Sequence, residues 1–313
     1  MSRYLQLFIM FLLLLLVVEA ATAEDGKLLE LQSPPFTIQY DSRDSHLARD
    51  ISYLLVSAWQ RVERELPVRL PDHPVVLIAP SADDFYRIAR GSVPHWGAAV
   101  ALSDRNIILL KSSRGASVRN DWSSLLSHEL AHLAVHTLAR GFPVPTWLNE
   151  GIAVAVSGEL DITRRSEIAR ALLTSKVFAL DELEGLHSFS GTEARLAYSE
   201  AVLAVEYFRD RFGRSAVVLL LNQLGRGHSF DGAFQTATGE SFAGFEKKWR
   251  RHLWKHYFYY ILLGINSWIW GFILVLVIVA VIVVRRRNRR THRRWEVEDG
   301  PGESESNFDP FDW

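Results

Sequence analysis

Residues 120–141 read NDWSSLLSHELAHLAVHTLARG, and residues 145–158 read PTWLNEGIAVAVSG. The first stretch has helical spacing: Leu125, Leu126, Leu130, Leu133, Ala134 and Leu138 recur at three- and four-residue intervals. Asn120 or Asp121 can cap its start, and Gly141 is placed to end it. His128 and His132 stand four residues apart, which puts two imidazoles one turn apart on one face. Imidazoles so placed can both reach a single tetrahedral metal ion. Glu129 projects toward the edge of that face, where a carboxylate can take a proton from water activated by the metal.

The second stretch supplies a third ligand. A short connection containing Pro143 and Pro145 leads into a helix that Thr146 can cap, with Glu150 one turn inside. A tight loop between consecutive helices folds the second back on the first, so Glu150 can meet the two histidines from the opposite side. Two His and one Glu with an open fourth position are the donor set of a catalytic zinc site, not a structural one. His136 continues the same face, but eight helical residues from His128 span about 12 Å. It reads as a partly buried helix histidine and not as a ligand of that metal.

At SHELAH (127–132) and PTWLNEGIA (145–153) the chain resembles the gluzincin metallopeptidases, specifically their peptidase MA-like domains. The resemblance continues more weakly through AYSEAVLAVEYFRDRFG (197–213) and ATGESFAGFEKKW (237–249). It implies an α+β, thermolysin-like zincin fold, with a mixed sheet beside the zinc-binding helix and a helical C-terminal lobe. It also implies one Zn2+ per chain, held by His128, His132 and Glu150, with Glu129 as catalytic base in peptide-bond hydrolysis. Tyr198 resembles the residue that steadies the oxyanion in this group, with His187 and His95 as weaker candidates. Tyr198 also lies on a stripe with Ala201, Val202, Val205 and Phe208, where a plain core aromatic is the competing reading. In the resembled fold an edge strand pairs with extended substrate, which would make Gly97, Ala98 and Ala99 a substrate-binding segment; a short Ala-rich strand of the sheet is the alternative. The chain departs from its relatives at Val154, where they often carry an acidic residue that orients a ligand histidine. That departure keeps open a second reading: a weakly active or inactive peptidase-fold scaffold or binding protein of the cell envelope.

The flanks decide where such a domain would work. Residues 1–23 have the form of a signal peptide: Arg3, an apolar run from Leu5 to Val18, and Ala21-Thr22-Ala23 before Glu24. Residues 257–284 form an uncharged apolar stretch longer than the about 20 residues that cross a bilayer as a helix. Tyr257, Tyr259, Tyr260, Trp268 and Trp270 gather at one end of it, and RRRNRRTHRR follows at the other. These signals predict an exported domain over 24–256, one transmembrane helix over 257–284, and a cytoplasmic tail over 285–313, basic and then acidic. The expected location is the cell membrane, single-pass, with the N-terminal domain periplasmic or extracellular. The expected partners are a peptide or protein substrate, the membrane through the C-terminal helix, and a cytoplasmic partner of the tail. The net charge of −1 speaks against a general nucleic-acid binder. With no cysteine in the chain, packing and metal must hold the domain without disulfides.

Ahead of the helices, FTIQY (36–40) and PVVLIAP (74–80) read as strands, and 45–66 reads as an amphipathic helix stopping before Pro67. Ser81 is placed to cap a further helix that Gly91 could end. GAAVAL (97–102) and IILLK (107–111) flank a Ser-Asp-Arg-Asn turn as a hairpin. From Asp121 onward the pattern is helical.

Overall fold

The computed structural model describes residues 28–70, 74–90, 97–112, 121–158, 178–189, 191–264 and 267–298. The signal peptide at 1–23, Asn120, Gly91, His95, the side chain of His187 and the end of the tail lie outside the described residues. The chain divides into two compact units, Met1–Lys255 and His256–Trp313.

The first unit opens with β1 (Leu29–Ser33), a strand not expected from sequence, because its LELQS gives only a short, partly polar alternation. It pairs antiparallel with β2 (Phe36–Tyr40). Helix α1 (Ser45–Glu65) follows and ends, as expected, just before Pro67. Next come β3 (Val75–Ala79), α2 (Ala82–Ala89), β4 (Ala99–Leu102) and β5 (Ile107–Lys111). The five strands form one mixed sheet in the order β1-β2-β3-β5-β4, which leaves β4 at an edge. β3 runs parallel to both β2 and β5, and β4 is antiparallel to β5.

Alternation gives the sheet two apolar faces. Leu77, Ala79, Val100, Leu102 and Leu109 pack with Phe85 and Ala89 of α2 on one side. Ile38, Val76, Ile78, Ile108 and Leu110 are buried on the other. Ser81 caps α2 as expected, accepting a hydrogen bond from the Asp84 N–H at 3.1 Å.

Helices make up the rest: α3 (Trp122–Leu138), α4 (Thr146–Ser157), a 3-10 turn over Glu182–Ser188, α5 (Gly191–Phe212), α6 (Arg214–Leu224), α7 (Phe230–Thr238) and α8 (Phe242–Gly264). This is a mainly helical α/β architecture with a small mixed sheet. Helix α3 packs against α1, α4 and strand β4.

Helix α4 is wedged between α3 and α5. The approach to α5 is possible because residue 151 is glycine: a Cβ there would lie 2.6 Å from the Ala201 carbonyl oxygen and 2.7 Å from Val205 Cγ2. On another side Trp147 stacks on Phe242 with centroids 5.9 Å apart and meets Phe230 edge-on at 6.2 Å.

In the second unit, helix α9 (Ser267–Glu298) carries exposed apolar side chains through Trp270, Phe272 and the aliphatic residues from Ile273 to Val284. Among the described residues no helix is long and apolar enough to cross a membrane. The described apolar run meets Arg285–Arg287 before it reaches that length, and the side chains of residues 256–269, part of the expected span, lie outside the described residues.

The Ala201 carbonyl belongs to a helix backbone and cannot swing aside. Gly151→Ala is therefore expected to cost about 1–3 kcal/mol of stability, as overpacking does. Thermal unfolding would show it, and an unchanged Tm would mean that α4 and α5 are not in contact there.

Candidate metal centre

Helix α3 starts at Asp121, whose carboxylate accepts from the Ser124 N–H at 3.3 Å. It ends at Leu138, and the chain turns through Arg140 and Gly141, both at positive φ. The apolar stripe of Leu126, Leu130, Leu133, Ala134 and Leu138 is buried. That fixes the rotation of the helix and sends His128 and His132 to the α4 side. Their ring centroids are 4.8 Å apart.

Glu150 arrives from α4 and is itself buried. Its two carboxylate oxygens face the two imidazoles separately: Oε2 is 3.7 Å from His128 Nε2, and Oε1 is 3.8 Å from His132 Nε2. One ligand atom from each of the three residues can be chosen so that all lie within 4.8 Å of one another. Ligands about 2.1 Å from a tetrahedral zinc stand about 3.4 Å apart. The three donors are thus too far apart for direct hydrogen bonds and close to the spacing that one shared ion demands. The residues fit a zinc ion.

Protonation agrees with that fit. Burial, and secondarily the neighbouring His132, depress the His128 pKa to about 3, which keeps the imidazole neutral and able to ligate. The His132 Nδ1 lies 3.0 Å from the Asn149 amide oxygen. With a proton on Nδ1 donated to that oxygen, Nε2 turns its lone pair toward Glu150. Asn149 was not singled out from sequence. The signal available was its position beside Glu150, on the helix already assigned to face the histidines.

Glu129 is buried on α3, and its Oε2 accepts a 2.7 Å hydrogen bond from the backbone N–H of Ala101 in β4. Strand β4 thus touches the site at Ala101. The Ala98 carbonyl is turned inward and accepts from the Lys111 N–H at 2.8 Å. Alternation along an antiparallel strand then points the backbone groups of Ala99 and Ala101 outward, away from β5. Gly97 and Ala98 precede the strand, and Ala99 is its first residue.

Four further expectations meet the structure here. Thr146 does not cap α4: Pro145 holds the cap position, and Glu184 of the 3-10 turn accepts from the Thr146 N–H and hydroxyl at 3.0–3.1 Å. A carboxylate at a helix start is favoured by the macrodipole, and this one comes from far along the chain, out of reach of local reading. Val154 is buried with 4% exposure, one turn after Glu150. Tyr198 sits on α5 one turn before Ala201, half-buried, whereas the stripe it shares with Ala201, Val202, Val205 and Phe208 is buried. His136 packs beside Gly141, whose built Cβ would lie 3.6–3.7 Å from its ring atoms.

A family model described as the Peptidase MA superfamily matches residues 81–255. The chain belongs to that superfamily. The matched region runs from the start of α2 to the last residue of the first unit, and so contains β4, both site helices and the helical lobe. No curated protein matches the chain. Membership makes a peptidase-type activity the coarse statement of function.

Near the site, α5 carries a buried acid. Glu200 is fully buried, accepts from the Phe178 N–H at 3.0 Å, and among the described residues its second oxygen has no hydrogen-bond partner. Burial raises its pKa to about 8, against the lowering effects of the Phe178 hydrogen bond and of Arg250 and with a smaller raising effect from Glu182. The folded state therefore holds a proton that the unfolded chain gives up near pH 4.5. Stability therefore falls as pH rises through that window toward 8. Glu200→Gln should flatten the fall, seen as a smaller loss of Tm between pH 5 and pH 8; parallel curves for the two proteins would refute it.

The Asn149 contact gives a second test. Asn149→Ala should weaken zinc binding about 10- to 100-fold, read by competition with a chelator.

Proposed function

We propose that this chain is a membrane-anchored zinc metallopeptidase that hydrolyses peptide bonds of envelope or extracellular proteins or peptides. The observation that carries the reading is the convergence of the half-buried His128 and His132 with the buried Glu150, beside the buried Glu129. His128, His132 and Glu150 would hold the ion in a thermolysin-like, gluzincin arrangement. When bound, zinc supplies Lewis acidity, polarising a carbonyl and making water a nucleophile near neutral pH.

The chain's own residues supply positioning and proton transfer. Glu129 takes the proton of the attacking water and delivers it to the leaving amine. Its hydrogen bond to Ala101 holds the carboxylate against the edge strand. The outward Ala99 N–H and C=O and the Ala101 C=O are free to pair with an extended peptide laid along β4. The base and the strand would thus bring the scissile bond to the metal side of α3. Tyr198 is the proposed donor to the oxyanion, about two turns into the helix that packs behind Glu150.

Anchoring is supported by the exposed apolar face of α9. Uninterrupted aliphatic side chains from Ile273 to Val279 are exposed in a helix that turns to arginine at 285, a pattern that water does not favour and a bilayer does. With a signal peptide at 1–23, the domain would lie outside the cytoplasm and the arginines inside.

A scaffold that binds without turnover is the second reading, favoured by the buried Val154, which supplies no carboxylate at its position. Both readings are separated by one pair of measurements on purified protein. Zinc metallopeptidase activity should fall about 10²- to 10⁴-fold in Glu129→Gln while zinc content stays the same. Equal cleavage by that variant would sink the mechanism, and zinc without turnover in the unmutated chain would favour the scaffold.

A further inference from the structure

Helix α8 buries one row of side chains and exposes another. Phe245, Trp249 and Leu253 recur every four residues and are buried. Two residues on, and so on the opposite side, Lys247, Arg251 and Lys255 repeat at the same spacing and are exposed. Trp254 stands beside them with 51% exposure. Neighbouring cations of the helix are neutralised, Lys248 by Glu240 and Arg250 by Glu246. Among the described residues, Lys247, Arg251 and Lys255 have no carboxylate partner. Like charges at four-residue spacing repel one another, so nothing among the described residues favours the row.

We propose that this face docks on anionic phospholipid headgroups of the bilayer that the chain's own apolar segment enters. The inference rests on the anchored reading above. Lys255 precedes Tyr257, the first residue of the expected span, by two residues. A chain reaches at most about 3.6 Å per residue, so Lys255 lies within about 7 Å of that point. Arg251 is one helical turn farther, about 6 Å. The surface potential of an anionic leaflet decays over about 8 Å at physiological ionic strength, which covers the membrane-proximal part of the row. Trp254 belongs in the same layer, where an amphipathic indole is favoured at headgroup depth. Lysine and arginine stems can lie along the interface while their charges meet phosphate. A domain docked through this face is restrained against the membrane and works on chains that lie near it.

The test uses the full chain. It contains no cysteine, so His252→Cys gives one labelling position beside Arg251 for an environment-sensitive dye. The labelled protein is placed in nanodiscs of phosphatidylcholine alone, or of phosphatidylcholine mixed with phosphatidylglycerol. The dye should shift to the blue only in the anionic discs and lose the shift at about 1 M salt, where the screening length is about 3 Å. Replacing all three of Lys247, Arg251 and Lys255 by Glu should abolish the shift. Lys255→Gln, the change nearest the bilayer, should lower the docked-to-undocked ratio about fivefold. Peptide turnover in detergent, unchanged in these variants, verifies that they fold. Identical emission in both lipids, or a shift that survives the triple change, overturns the proposal. So does a shift that needs an added protein and not the anionic lipid. A chain that does not enter the discs at all overturns the anchored reading instead, and the docking proposal with it.

Discussion

Everything chemical in this protein depends on how closely α4 approaches α3. Two half-buried imidazoles and a buried carboxylate are held near enough to share one ion and too far apart to bond each other directly. Such a group is costly to bury unless something fixes it and a cation joins it. The fixing comes from outside the two helices. Gly151 lets α4 sink onto the α5 backbone, Trp147 wedges it against the aromatic cluster of α7 and α8, and Glu184 ties down its first turn. The donor set therefore sits on packed helices and not on a loop, which is what precise ligand geometry requires.

The same lobe uses carboxylates as acceptors for backbone N–H groups that have no partner in the regular structure. Phe178, Ala179 and Leu180 donate in succession to Glu200, Glu182 and Glu246, three acids from three different elements. Glu184 does the same for Thr146, and Glu129 for Ala101. The last of these matters most for mechanism. It joins the proposed base to an unpaired sheet edge, so the metal ligands, the base and the proposed strand-pairing groups share one side of α3. A buried acid such as Glu200 is the less favourable case, since one hydrogen bond does not offset its full desolvation.

The second unit presents a different surface. Its helix has no polar face between Phe272 and Val284 and changes abruptly to arginine at 285. A helix apolar all round needs a hydrocarbon or protein environment. The last helix of the first unit instead keeps an exposed row of cations at Lys247, Arg251 and Lys255.

Much of this was written locally in the chain. The period of Leu126, Leu130, Leu133 and Leu138 determined a helix with two histidines and a glutamate on known faces, and the short Pro-containing link determined that Glu150 would return toward them. The strands β2 to β5 and the ends of α1 and α2 followed from alternation and from Pro67 and Ser81. Tertiary structure alone decided the rest, because it rests on contacts between residues far apart in sequence. No local pattern announces that Ala101, and not Ala98, presents its N–H to Glu129; that depends on the register of β4 on β5. Nor does one announce that Glu184, and not Thr146, caps α4, or that Gly151 is there for the Ala201 carbonyl. Side-chain periodicity fixes which way a residue points, whereas what it meets is set by how whole elements pack.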